Sequence, residues 1–204
     1  MSNPVTITHN ILVNACKKHG AGAVLTSSFQ TQSAPLLHMV SRWCPELRVW
    51  FIDTGFHFAE TLEYKRALKK LLGLRVEVIR APYDLGPVYQ NSVEGCCAWN
   101  KTLPVQKAMR TGVTAWLSGI RADQTALRAR KLPHEYDGEI ERIYPMLHWT
   151  AQDVAEYAAK YKLPEHPLTA QGYESIGCKP CTVAGEDRTG RWPGSPKVEC
   201  DLHR

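Results

Sequence analysis

Long apolar runs are missing from this sequence. No stretch approaches the ~18 apolar residues that a membrane-spanning helix needs, and the N-terminal MSNPVTITHN has neither the basic segment nor the apolar run of a secretory leader. A soluble, cytosolic protein is the expectation. Blocks of Lys or Arg are missing too, and the formal charge of +5 is modest and spread over 204 residues. This excludes the polybasic track that follows a nucleic-acid backbone and suits a small anionic ligand better than RNA or DNA. No internal repeat or low-complexity tract occurs. With 44% hydrophobic residues the chain can bury one core, so a single domain spanning 1–204 is expected.

What the sequence does hold is an uneven set of seven cysteines. A reducing compartment disfavours structural disulfides, so these read as thiols or ligands. Cys16 and Cys44 fall in helical patterns and read as packing residues. Cys96 and Cys97 are adjacent, and Cys178 and Cys181 form a Cys-x-x-Cys pair about eighty residues on. Two such pairs allow a fold to gather four thiolates around one soft metal centre. Zinc and an iron-sulfur cluster both accept that donor set. The adjacency of Cys96 and Cys97 tilts the choice, because neighbouring thiolates diverge and reach two irons of a cubane more easily than one zinc ion. Cys200, alone in the last residues of the sequence, reads as a nucleophile.

Strand-length apolar runs at 21–27, 47–53, 74–80 and 113–120 read as buried strands. Helical spacing over 33–44, 59–72 and 103–111 separates them, and a further helix begins at Thr150 with Asp153 in capping-box position. Alternation of this kind implies an α/β fold: a mostly parallel twisted sheet with helices on both faces, binding its ligand beyond the carboxyl ends of the strands. After residue 162 the chain is rich in Pro, Gly and charge. The first strand runs into TSSFQTQS, with a helix from about Gln32. Hydroxyl residues entering a helix N-terminus suit a phosphate or sulfate, which makes Ser27, Ser28 and Ser33 candidate contacts; an ordinary capped loop fits the same residues. Asp53, Thr54, Gly55 and His57 cluster after the second strand, as a nucleotide-contacting loop would, although Asp53 could equally cap the next helix.

The order TSSFQTQS, IDTGFHFAETL, EGCCAWNK, SGIRADQTALRA, LHWTAQDV, LPEHPL, GYESIGCKPCT, GEDRTGRW and VECDLH resembles the adenylyl-sulfate and phosphoadenylyl-sulfate reductases of assimilatory sulfate reduction, from about residue 21 to 203. The resemblance implies an adenine nucleotide alpha-hydrolase-like (PP-loop-like) fold. It implies a [4Fe-4S] cluster on Cys96, Cys97, Cys178 and Cys181, and adenosine 5′-phosphosulfate as substrate, since relatives with this quartet typically use it. Those without the quartet use the 3′-phosphorylated nucleotide. Cys200 would attack sulfur, and thioredoxin or glutaredoxin would release sulfite. Lys101 matches a lysine linking cluster and substrate, Arg188 and Arg191 match an arginine pair, and Arg121 and Arg128 match a further motif. His203 would stabilise the thiolate or position a mobile tail over 185–204. Relatives are often homo-oligomers, and no thioredoxin-like domain follows Cys200, so an external donor is expected. Two departures stand out: Asp201 where the family tail has Gly, and Gln30 where many relatives place Gly. A tRNA-thiolating, substrate-adenylating enzyme would carry a glycine-rich SGGxDS loop, which TSSFQTQS does not supply. A zinc-stapled binding module would leave Cys200 and the arginine motifs without a role.

Overall fold

The computed structural model describes residues 3–200 and 202. Four parallel strands, β1 (Ala23–Thr26), β2 (Arg48–Asp53), β3 (Arg75–Arg80) and β4 (Ala115–Ser118), are joined by helices, and a hairpin of β5 (His134–Asp137) and β6 (Ile140–Ile143) completes a six-stranded sheet. The order is β3-β2-β1-β4-β6-β5, and only the β5–β6 pairing is antiparallel. From β1 the chain winds outward to β3 and then returns to place β4 on the other side of β1. The strand order therefore reverses between β1 and β4, where open α/β sheets bind ligands.

The helices are α1 (Pro4–His19), α2 (Ala34–Trp43), α3 (Ala59–Leu72), α4 (Val93–Cys97), α5 (Leu103–Met109) and α6 (Ala151–Lys160). Period-two alternation divides the central strands between two faces. Leu25, Val49, Phe51 and Leu117 join Leu12 of α1, Leu37 of α2, Leu68 of α3 and Tyr157 of α6 in one core, while Val24, Trp50 and Trp116 pack on the other face with Ala108, Met109 and Leu202. The expected capping box opens α6: the Asp153 N–H donates to Thr150 Oγ1 at 3.1 Å, and the Thr150 N–H donates to Asp153 Oδ2 at 2.7 Å. Cys44 is buried and donates to the Leu12 carbonyl at 3.5 Å, and Cys16 packs against the same core, as expected of packing residues.

Segment 74–80 departs from its expectation as a buried strand. β3 is an edge strand, paired with β2 alone; Val78 is 45% exposed, and Arg75 and Glu77 face outward. Apolar content alone does not separate an edge strand from a central one. No helix among the described residues is long and apolar enough to cross a membrane.

Candidate active site

A cavity of about 170 Å³ opens beyond the carboxyl ends of β1 and β4. Ser27, Ser28 and Ser33 line it, as do Lys101, Arg128, Arg188, Arg191, Cys178 and Cys200. Thus three hydroxyls, four cations and two thiols distant in sequence line one cavity. In the loop after β1, Phe29 takes a left-handed φ of 51° and is fully buried, fixing the turn, while the Ser27 hydroxyl accepts from the Phe29 N–H at 3.2 Å. Gln30 is extended, with φ of −99°, so its position makes no demand for glycine. Its amide donates to Ser28 Oγ at 3.0 Å and accepts the Ile176 N–H at 2.9 Å, tying the serine loop to the segment before the Cys-x-x-Cys pair.

The cations arrive from three parts of the chain. Lys101 sits in a π-helical turn, Ala98–Thr102, directly after α4; such turns re-aim side chains and recur at functional sites. Burial opposes charge on Lys101, but the nearby thiols of Cys178, Cys200 and Cys97 outweigh that and raise its pKa. Arg188 and Arg191 come from a tight loop in which Val183 N–H donates to Gly190 O at 2.9 Å. A Cβ on Gly190 would lie 2.1 Å from the Val183 carbonyl oxygen, so only glycine closes it. Burial pulls the Arg188 pKa down to about 10, with Arg128 adding repulsion, and burial lowers that of Arg191 as well. Trp192, 3% exposed and at φ of 51°, puts its ring centroid 4.5 Å from Arg191 Cζ, 5.7 Å from Arg188 Cζ and 5.8 Å from Lys197 Nζ. An aromatic face inside such a ring of cations is stabilising and holds them in place.

Beside the cleft lies a smaller cavity lined by Cys96, Cys97, Cys178 and Cys181 together with Thr54, Asn100, Lys101, Arg191 and Trp192. The two thiol pairs thus converge on one space. Thr54 Oγ1 and Cys178 Sγ are 3.2 Å apart, and Asn100 Nδ2 donates to Cys96 Sγ at 3.5 Å. Burial pushes the Cys97 thiol up to about 11 and raises Cys96 and Cys181. All seven cysteines are free thiols. Among the described residues, no group of three or more His, Cys, Asp or Glu side chains is drawn together as tightly as a single metal ion requires.

Several expected contacts stand elsewhere. Asp53, Thr54 and Gly55 do not line the cleft beyond β1 and β4. Asp53 accepts Arg80 Nη2 at 2.6 Å and Nε at 3.1 Å and caps the Gly55 N–H at 3.0 Å, and Thr54 turns to the cysteine cavity. Arg121 is 4% exposed and also off the cleft; it spans Asp123 Oδ1 at 3.0 Å and Gln32 Oε1 at 2.8 Å. Cys200 is half-buried in the cleft wall. Asp201 and His203 lie outside the described residues. Glu199 is not among the candidates that the sequence supplies. It is fully buried, and its carboxylate accepts Arg128 Nε and Nη2 at 2.7 Å each and Arg188 Nη2 at 3.3 Å. Burial disfavours its charge, but the two arginines prevail and hold its pKa down at about 2. The one signal in the sequence is an acid beside the lone C-terminal thiol in a chain whose cations cluster just upstream.

Comparison with known proteins meets this geometry directly. Residues 22–184 match the phosphoadenosine phosphosulfate reductase domain. The chain belongs to the phosphoadenosine phosphosulfate reductase family. Within this family it is 41% identical over 189 residues to the adenosine 5′-phosphosulfate reductase of Mesorhizobium japonicum, covering 87% of this chain and 74% of that one. It is 38% identical to the protein of the same name from a Chelativorans strain, covering 95% and 83%. Among solved structures, the phosphoadenylyl-sulfate reductase of Candida auris in its phosphate complex superposes with a TM-score of 0.76 at 22% identity, covering 86% of this chain and 90% of that one. The U34-tRNA thiolase of Methanococcus maripaludis with its [4Fe-4S] cluster gives 0.55 at 11% identity, covering 80% and 66%. These two likenesses show the α/β, PP-loop-like fold.

Proposed function

We propose that this phosphoadenosine phosphosulfate reductase family member reduces adenosine 5′-phosphosulfate to sulfite and AMP in assimilatory sulfate reduction, through an S-sulfonated Cys200. The observation that carries the reading is the Cys200 thiol set in a cleft walled by Lys101, Arg188 and Arg191, next to a cavity lined by Cys96, Cys97, Cys178 and Cys181. Relatives named adenosine 5′-phosphosulfate reductase support the choice of substrate.

In the first step the Cys200 thiolate attacks the sulfur of the sulfuryl group. A sulfur–sulfur bond forms, the bond from that sulfur to the oxygen bridging it to phosphorus breaks, and the electron pair leaves on AMP. Negative charge gathers on the departing oxygen and on the sulfonate. Preorganised cations facing it, here Lys101, Arg188 and Arg191, stabilise that transition state more than the ground state, and the guanidinium fork matches paired oxygens. Ser27, Ser28 and Ser33 supply hydroxyls at the switch point for the nucleotide phosphate. In the second step one thiolate of an external dithiol, thioredoxin or glutaredoxin, attacks Cys200 Sγ and expels sulfite. Its second thiol then resolves the mixed disulfide, so two electrons pass from the dithiol and the Cys200 thiolate is restored. The chain works as one domain, with 185–204 as its active-site tail.

The four-cysteine cavity suits a [4Fe-4S] cluster. Its donor set is all sulfur, and the buried Nε of Arg191 and Nε1 of Trp192, both on its lining residues, have no partner among the described residues. Cys96, Cys97, Cys178 and Cys181 would hold the cluster, which would act as an electrostatic and structural element beside Lys101. Protein purified without oxygen should contain about four irons and four sulfides per chain. A colourless, fully active enzyme with stoichiometric zinc would refute the assignment. For the reaction, the chain mixed with excess adenosine 5′-phosphosulfate and no reductant should gain about 80 Da, the mass of the transferred SO3 unit; no gain sinks the mechanism. The alternative nucleotide, carrying a 3′-phosphate, is separated by comparing kcat/KM for the two with thioredoxin present.

A further inference from the structure

Glu199 is the least exposed charged side chain among the described residues, at 0%, and it adjoins the reactive thiol. One carboxylate oxygen, Oε2, accepts Arg128 Nε at 2.7 Å and Thr125 Oγ1 at 3.3 Å. The other, Oε1, accepts Arg128 Nη2 at 2.7 Å, Arg188 Nη2 at 3.3 Å and the backbone N–H of Cys200 at 2.8 Å. Two physical consequences follow. The fork of Arg128 is consumed inside the protein, and its remaining Nη1 donates to Gln124, so this arginine has little left to offer a substrate anion. Arg188 keeps a buried Nε without a partner among the described residues and lines the cleft. The oxygen that takes Arg188 also takes the main chain of the nucleophile. A carboxylate gripped by a bidentate guanidinium is held in orientation as well as in position, so the backbone of residue 200 is indexed to a cleft cation through one atom.

We propose that Glu199 is the positioning residue of the reactive thiol: clamped by Arg128 and Arg188, its carboxylate sets the main chain of Cys200 at the distance from which sulfur can be attacked. The proposal rests on the nucleophilic role of Cys200. It gives Arg128 a part in aiming the tail, where the sequence motif suggests contact with substrate. It also explains why a buried acid is tolerated where a phosphosulfate must bind: two guanidinium groups neutralise it, and the pair holds the tail against the cleft as a unit, since separating them would leave a buried charge uncompensated.

The test separates aim from binding. Glu199→Gln keeps size and the oxygen facing the Cys200 N–H but gives up the charge that grips Arg128. Under single turnover without reductant, the rate of S-sulfonation should fall on the order of a hundredfold, the cost of about 1 Å of misplacement, while AMP affinity by calorimetry stays within about twofold. Arg128→Lys keeps the charge and loses the fork; it should slow the step similarly, and the double variant should be no slower than either single one. Wild-type rates in either variant, full additivity, or a loss of AMP affinity equal to the loss of rate would each overturn the proposal. Should Glu199→Gln fail to fold, the S-sulfonation rate of Arg128→Lys decides the matter alone. Absence of the adduct in wild-type protein would instead strike at the reductase reading itself.

Discussion

Gly177 precedes the Cys-x-x-Cys pair, and its α-carbon lies against the guanidinium of Arg191. A Cβ there would stand 2.4 Å from Arg191 Nη2, 2.7 Å from Cζ and 3.0 Å from Nε. Carbon contacts relax at about 3.5–4.0 Å, so Gly177→Ala forces the guanidinium back by roughly 1 Å. The backbone itself accepts alanine, because φ at this position is not in the left-handed region. The atoms that move belong to the end of a flexible side chain, so the stability cost should stay within about 1 kcal/mol. Activity should respond far more. Arg191 faces both cavities, and a misplacement of about 1 Å near reacting atoms costs on the order of a hundredfold, or about 2.7 kcal/mol of transition-state stabilisation. The assay is kcat/KM for adenosine 5′-phosphosulfate with thioredoxin, together with iron content and Tm on the same sample. Iron equal to wild type separates a displaced arginine from a lost ligand at Cys178. If kcat/KM stays within about threefold of wild type while iron is retained, Arg191 does not act from the position described.

Three other outcomes are expected. Cys200→Ser should bind AMP as tightly as wild type and form no adduct; sulfite release at the normal rate would refute the nucleophile. Cys178→Ser should lower iron content, and unchanged iron in that variant would exclude its thiolate as a ligand. Glu141, far from the cleft, accepts Lys18 Nζ at 2.7 Å, His19 Nε2 at 2.8 Å and His134 Nδ1 at 2.9 Å. Burial opposes its ionisation, but hydrogen bonds from Lys18, His134 and His19 hold its pKa down at about 2. Because the folded-state value is depressed, the stabilisation is complete above the ordinary carboxylate range and is lost as pH falls toward about 2. Glu141→Gln should therefore cost about 1 kcal/mol at pH 7 by urea denaturation, since the exposed Lys18 is screened by solvent, with the gap to wild type closing in acid; a pH-independent gap would refute the account.

Much of this architecture is written in local patterns. The strands at 47–53 and 113–120 and the helix over 59–72 announce themselves through apolar runs and 3.6-residue spacing, and α3 spans Ala59–Leu72, the range that spacing predicts. The β5–β6 hairpin gives no such notice, because its edge strand exposes His134, Tyr136 and Asp137, which carry no core signal. Helix α1 shows only faintly, through the helical pattern around Cys16, because it buries just Thr8, Leu12 and Ala15, a narrow stripe. At the site, the cysteine pairs and the serines of the first loop are legible because their spacing is itself the signal. Asp53 and Arg121 are harder. Residue type and motif mark them as polar neighbours of a ligand, but only the fold decides whether a charged group meets the ligand or a partner, and here Arg80 and Asp123 take them. Glu199 shows the converse, since its place beside Cys200 is the one local sign, and that does not distinguish a buried, doubly paired acid from a solvated one.

Lys101 and Arg191 border both chambers, so neither space can be retuned by itself. If a descendant sequence lost its thiol quartet, Lys101 would lose Cys97 and Cys178, two of the thiols that raise its pKa. A substitution in either chamber therefore changes the electrostatics of the other.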